Sequence, residues 1–507
     1  MRRRLVHRLP TPLRQHWKIL AAFLTFVAVA VGVFGQARVR PYITGDATVI
    51  ASDITENVAG SVDFFDTGSS HDVSIEYSQS DYDDMIAAYR DEGEKEWITA
   101  DITIDGTLVT DVGVRLKGNS TLMGLRGTGG GLGGGPGGGQ PRTSEGREPP
   151  AGMAMPEGGG AGGGMVALSA DDPASLPLLI SFDKYVSGRA YQGMTQLSVR
   201  PGSPVLNEAV ALSLTAESGQ PTQRYAYTRY SVNGSPAQTR LVLEHPDEGY
   251  ANSLFDSDGV LYKADANSSF TYQGDDQTTY TDQFVQVNAE GSQDLQPIIT
   301  FLKWLDGASD EQFDAELADR VDVDSFARYV ATQNLLVNSD DMAGPGKNYY
   351  LWYDLGTKKI SVVSWDLNLA LSGNSDAGPH DSIGMGGGGR SGGGATPEGA
   401  LGGGMPGGGM PGGEMPGGGM PGGGNALKER FLASAAFTGV YDDAYRDLYS
   451  QLFGSGRAVE ILDEIAQTVP VSDGLSAEKL ASDALTLRAR LQTRTDALAA
   501  NEVIVAG

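Results

Sequence analysis

The sequence predicts an α+β chain in two lobes, a mostly β N-terminal part and a helical C-terminal part, preceded by one membrane-spanning helix. Three observations lead there. Strand-like alternation dominates the first half of the chain, and helical periodicity takes over from Leu295. An uncharged apolar run, Ile19–Gly35, stands behind a basic head. Of the 71 glycines, 42 lie in two tracts, 124–164 and 384–424. The rest of the 507 residues therefore has an ordinary composition and enough length for a large core.

The head, residues 1–18, carries Arg2, Arg3, Arg4, Arg8, Arg14 and Lys18 and no acid, although the whole chain has a net charge of −27. Such an acidic remainder repels nucleic acid, so no nucleic-acid partner is expected. Residues 19–35 are just long enough to span a bilayer, and the basic flank favours a cytoplasmic N-terminus. A cleaved signal peptide is the competing reading, but no clean Ala-x-Ala site follows the run. Both readings export the bulk of the chain, the first as a single-pass protein of the cell membrane. The chain has no cysteine, which excludes disulfides, Cys-ligated zinc and a thiol nucleophile. Residues 38–453 read as the main domain, interrupted by the two glycine tracts, and 454–507 as a helical C-terminal segment.

Residues 49–66 and 71–77 read as short strands or loops, and 81–91 as a helix. Residues 97–117 alternate around Asp105-Gly106, the signature of a hairpin. Strands are expected at 178–182, 195–199, 225–232 and 239–244, with a helix at 207–218 between them. Helices follow at 295–305, 311–317 and 323–337, the last opened by an Asp322 cap. A hairpin over 349–353 and 360–365 precedes the second glycine tract, and helices at 426–453, 458–469 and 476–499 close the chain.

The chemistry concentrates in residues 334–368, NLLVNSDDMAGPGKNYYLWYDLGTKKISVVSWDLN. A helix ends before Asp340 and Asp341, Asn348 enters one strand, and Asp366 and Asn368 leave the next. A hairpin brings the start of its first strand beside the end of its second, so Asn348 and Asp366 should meet near Asp340. Carboxylate and amide oxygens in that arrangement suit Mg²⁺, and a further carboxylate can deprotonate a hydroxyl. Asp, Asn and Gly also gather wherever the chain turns, which is the competing account.

These blocks resemble the CotH spore-coat kinase family of atypical protein kinases. The resemblance runs from about Val73 to Phe453 with the glycine tracts set aside. It includes VGVRLKGNST (112–121), LLISFDKY (178–185), LNEAVAL (206–212), LVLEHPDEGY (241–250), GVLYKAD (259–265) and the N-x-D…NYYL…WD-x-N series. It implies a kinase-like fold, ATP with Mg²⁺ or Mn²⁺ as cofactors, and a protein substrate at the cell surface. By resemblance, Asp340 handles the acceptor hydroxyl, with Asp341 the alternative register; Asn348, Asp366 and Asn368 hold metal. Lys184 and Glu208 resemble the lysine–glutamate pair on the nucleotide phosphates, with Lys117 and Lys263 as rivals for the lysine. Gly118-Asn119-Ser120 could form a turn facing phosphate, and Glu244 reads as structural rather than metal-linked, both readings being open.

Other features carry less. The five histidines lack metal-like spacing, and the lone G-x-S-x-G, 389–393, sits in a glycine tract with no strand before it. The Met-Pro repeat at 405–421 could bind Cu(I), but it reads more simply as expanded linker. Two functions stand: an exported, anchored protein kinase for Ser or Thr of surface proteins, and a non-catalytic pseudokinase or adhesin. Both glycine tracts are expected to border the site.

Overall fold

Residues 54–118, 120–126, 168–289, 294–383 and 424–506 are described by a computed structural model. The apolar run 19–35, the Met-Pro repeat and Asn119 lie outside them. Among the described residues no helix is long and apolar enough to cross a membrane.

Period-two patterning is strongest between residues 71 and 116, and the strands there are part of a barrel. The chain runs β1 (Glu56–Val58), β2 (His71–Glu76), α1 (Gln79–Asp91), β3 (Ile98–Ile104), β4 (Thr107–Leu116), β5 (Leu178–Ser181), β6 (Arg189–Tyr191) and β7 (Gln196–Val199). Helix α2 (Leu206–Glu217) and strands β8 (Tyr225–Val232) and β9 (Gln238–Glu244) follow. Val73 and Ile75 of β2, with Ile98, Ala100, Ile102 and Ile104 of β3, are all buried in one core. The barrel order is β2-β3-β4-β5-β7-β9-β8, and β8 pairs with β2 in parallel to close it. Closure leaves no open edge. Asp105 and Gly106, both at positive φ (48° and 79°), make the β3–β4 turn in the primed geometry the sequence called for. Strands β1 and β6 form a separate parallel pair.

After the barrel come α3 (Glu248–Ser253), β10 (Gly259–Ala264), β11 (Phe284–Gln286), α4 (Gln296–Gly307), α5 (Asp310–Glu316) and α6 (Val323–Leu335). Strands β12 (Tyr349–Asp354) and β13 (Ile360–Ser364) are the expected hairpin. It is half of an antiparallel sheet, β11-β10-β12-β13, whose two other members no sequence pattern announced. Asp322 caps α6 as expected, its Oδ1 accepting from the Ser325 amide at 3.0 Å. The single helix expected over 426–453 is broken into α7 (Ala426–Ala433) and α8 (Ala435–Leu448). The break falls at Ser434, whose hydroxyl accepts from the Ala436 amide as an N-cap. Helices α9 (Arg457–Thr468), α10 (Ala477–Ala499) and α11 (Glu502–Val505) follow.

No seam appears at residue 454. Phe326 of α6, Leu351 of β12, Tyr445 of α8, Leu462 of α9 and Leu491 of α10 share one hydrophobic core. The separate C-terminal segment expected from the sequence is therefore part of the same body. Arg494 shows why. It is wholly buried and donates to Asn334 O (2.9 Å), Asn334 Oδ1 (2.8 Å), Leu335 O (3.3 Å) and Ser375 O (3.1 Å). The Val337 amide, just beyond the helix, donates to Asn334 O (2.9 Å), and the guanidinium adds a donor to the last carbonyls of α6 from α10.

The glycine tracts leave and re-enter at different places. Near the start of the first, Arg126 Nε donates to Tyr89 O (3.1 Å), and beyond its end Tyr82 donates to Ala170 O (2.7 Å). Both described ends are thus tied to α1. The second returns at Gly424, which donates to Ala343 O (3.1 Å) and accepts from Lys347 Nζ (3.1 Å). That end meets the loop carrying Asp340.

Candidate active site

One wall of the site is the loop after α6 and the hairpin it feeds. Val337 turns the chain out of the helix at φ 42°, a left-handed conformation that a β-branched residue rarely adopts. In the loop Asp340 is half-buried; its Oδ1 accepts from the Gly346 amide (2.5 Å) and its Oδ2 from Asn348 Nδ2 (3.0 Å). The backbone at Gly344 and Gly346 lies so close to Asp340 that a Cβ on either would collide with it. Burial pushes the Asp340 carboxyl above the ordinary range; the Gly346 amide opposes that, and the charge on Asp366 adds to it. Asp341, the other register, is buried and paired with Lys428 Nζ, and it accepts from the Ala343 amide (2.8 Å). It ties α7 to the loop, which leaves Asp340 as the acid that faces the site.

Tyr349 pairs with Ser364 across the hairpin, so Asn348 lies one residue before that rung and Asp366 two residues beyond it. Asp366 sits at φ 51° at the strand's exit. Asn368 lies two residues further on, in a short 3₁₀ turn, Leu367–Leu369. Its carbonyl accepts from Asn207 Nδ2 (2.6 Å), and among the described residues no hydrogen bond joins its side chain to Asp366.

The other wall belongs to the barrel, and here the sequence reading needs correction. Glu208 stands in the first turn of α2, fully buried, but its partner is Arg200, just past β7. Arg200 Nε donates to Glu208 Oε1 (3.0 Å) and its Nη2 to Asp366 Oδ1 (2.6 Å), so one guanidinium joins both carboxylates. Burial raises the Glu208 carboxyl and Arg200 pulls it back, with a net upward shift. Burial also opposes the charge on Arg200, and Asp366 and Glu208 together outweigh it. Lys184 does not take part. It is exposed, its ammonium 5.5 Å from the Trp97 ring centroid and its stem against Gly113. The turn after β5 carries it to the Trp97 side, away from Glu208.

Lys117 does reach the site. Its Nζ donates to Ser198 Oγ (2.5 Å) and lies 5.1 Å from the Trp365 ring centroid. Burial pushes its ammonium well below the ordinary range; Arg200 adds to this, and Asp366 and Glu208 oppose it. Lys263, the remaining rival, lies 5.2 Å from the same ring. Glu244 pairs with Arg224 (Nη2–Oε1 2.6 Å). Sequence reasoning missed Arg200 because it looked for a lysine. The available signal was a cation closing a strand, eight residues before the helix glutamate.

The donor set suits a divalent ion that keeps much of its own water. Among the described residues no three His, Cys, Asp or Glu side chains gather as a metal cluster. Asp366 keeps Oδ2 clear of Arg200, and Asn348, whose nitrogen serves Asp340, has its amide oxygen left for a cation. One carboxylate and one amide oxygen, completed by phosphate and water, match how Mg²⁺ is usually held.

A family model described as CotH kinase protein matches residues 201–492. The match includes every residue of the hairpin wall and Glu208, and it stops short of Lys117, Lys184 and Arg200. No curated protein matches the chain. A solved structure from Shewanella oneidensis MR-1, the toxin–antitoxin system HipA and HipB with its operator DNA, is similar at 11% identity. That likeness covers 60% of this chain and 61% of the other, with a TM-score of 0.27, too loose to assign a fold. The family match spans more than half of the chain and contains the loop, the hairpin and Glu208: this chain belongs to the CotH kinase protein family.

Proposed function

We propose that the chain is a protein kinase that transfers the γ-phosphate of ATP to Ser or Thr of surface or secreted proteins. It works from the outer side of the cell membrane, anchored by residues 19–35. One observation carries the chemistry: Asp340 presents a carboxylate held only by neutral donors, beside Asn348 and within electrostatic reach of Asp366. Family membership supports the reaction class. The location rests on the basic head and apolar run of the sequence.

A divalent cation, Mg²⁺ or Mn²⁺, neutralises charge on the phosphoryl oxygens when bound with ATP. Asp366 and Asn348 are the residues that would hold it. Asp340 accepts a hydrogen bond from the substrate hydroxyl and takes its proton as the oxygen–phosphorus bond forms. The bond from the γ-phosphorus to the bridging oxygen breaks, and ADP leaves with that oxygen. Glu208 fixes Arg200, and Arg200 in turn fixes one oxygen of Asp366.

Incubation of the protein with labelled ATP, Mg²⁺ or Mn²⁺ and candidate surface proteins should incorporate phosphate, and Asp366→Ala should reduce this to background. Equal labelling by the two proteins would refute the reading. The second reading, a non-catalytic binding protein, draws on the Arg200 contact that already occupies Asp366 Oδ1. It predicts no rise in melting temperature with ATP and metal, whereas nucleotide binding to the folded state raises it.

A further inference from the structure

Asp340 and Asp366 stand on different segments, one in the loop after α6 and the other at the exit of β13. A line of neutral side chains with no part in the reaction above runs between those segments. Gln333, in the last turn of α6, is buried, as are Asn338 in the loop and Ser364, the last residue of β13. Gln333 Nε2 donates to Ser364 Oγ (2.8 Å), and Gln333 Oε1 accepts from Asn338 Nδ2 (2.8 Å). Asn338 Oδ1 accepts in turn from the Asp340 amide (3.2 Å). The Asn338 amide also donates to Gln333 O (3.0 Å), so that residue is held at its backbone and its side chain.

The line closes into a ring. Ser364 pairs with Tyr349 across the hairpin, and Asn348, the residue before Tyr349, donates to Asp340 Oδ2 (3.0 Å). Asp340 is therefore held twice from one rung. Its carboxylate is reached from β12 through Asn348, and its amide from β13 through Gln333 and Asn338. Asp366 departs two residues beyond the same rung.

A buried amide is hydrogen-bonded in almost any protein, so satisfaction alone assigns Gln333 no role. The destinations of its two ends do. One goes to the strand that delivers Asp366, the other to the loop that delivers Asp340. Val330, Ala331 and Leu335 bury apolar side chains on the same helix, and an apolar residue at 333 would leave no polar atom to satisfy. A hydrogen bond has a preferred direction that apolar packing lacks. No member of the line is charged, so it orients the Asp340 loop and leaves the carboxylate uncompensated.

We propose that Gln333 is a positioning residue that sets the place of Asp340 relative to Asp366, through Asn338 on one side and Ser364 on the other. Its effect on catalysis rests on the kinase reading above; the link itself is a claim about the order of the Asp340 loop.

Two measurements on the full chain separate these claims: kinetics of phosphate transfer, and hydrogen–deuterium exchange of peptides spanning 338–348. Gln333→Met keeps the side-chain length and removes both bonds, whereas Ser364→Ala cuts only the strand end of the line. Both should speed exchange over 338–348, Ser364→Ala even though its lost hydroxyl bonds to Gln333 and not to that loop. Gln333→Met should lower kcat by roughly 10- to 100-fold with KM for ATP within about twofold, and Ser364→Ala should lower kcat less. The double variant should lose no more kcat than Gln333→Met alone, because the line is already cut. If Gln333→Met fails to fold, Ser364→Ala carries both measurements. Wild-type exchange over 338–348 in a folded variant overturns the link, and faster exchange with wild-type kcat overturns the positioning role. Single losses that multiply in the double variant overturn it too, as does a rise in KM for ATP that matches the fall in kcat. Faster exchange in the variants of a wild type that transfers no phosphate overturns the kinase reading and leaves the link standing.

Discussion

The two walls of the site handle charge in opposite ways. On the hairpin wall, Asp340 is held by an amide N–H and a carboxamide, neutral donors that orient its oxygens without cancelling their charge. On the barrel wall, Glu208 is met by a full guanidinium that reaches across to Asp366. Neutral donors orient a carboxylate and leave its charge in place, whereas a guanidinium orients it and compensates the charge as well. Asp341 shows the same contrast within one peptide unit: beside Asp340 in sequence, it is neutralised by Lys428 and buried. The difference lies in the partners, since the residue type is the same.

Substitutions should break that contrast in graded ways. The largest effect belongs to Asp340→Asn, which should lower kcat by about 10²–10⁴ while the protein stays folded. If Asp341→Asn loses more activity than Asp340→Asn, the two acids have been assigned the wrong way round. Arg200→Met should cost about 3–5 kcal/mol of stability in urea denaturation, because it leaves Glu208 buried without its cation. Adding Glu208→Gln should recover much of that loss; no recovery would mean that Arg200 acts mainly through Asp366. Asp341→Asn should cost about 1–3 kcal/mol by leaving Lys428 unpaired, with kcat little changed.

The smallest effect is a pH dependence. The proposed reaction needs Asp340 ionised, and burial holds its carboxyl above the ordinary 3.8. Lowering the pH therefore protonates it early, and the acid limb of kcat/KM should lie above that value. A limb at or below 3.8 would show that another group limits the reaction.

The hairpin wall was legible because Asp340, Asn348 and Asp366 fall within one loop and one hairpin, whose geometry follows from alternation and turn residues. The barrel wall was not. Leu116 pairs with Leu178, and Leu178 with Val199, so Lys117 and Arg200 meet only through a strand order that no local pattern reveals. Lys184 was misplaced for the same reason: a lysine in a family-like block says nothing about which side of its strand the following turn exits. The strands β10 and β11 went unread because they complete a sheet begun by a hairpin far along the chain.

Arg494 gives the molecule a sense of time. Synthesis releases Asp340, Asn348 and Asp366 well before Arg494, yet Arg494 adds donors to the carbonyls from which the Asp340 loop departs. A half-made chain thus has every chemical group of the hairpin wall and lacks the brace that fixes where they stand.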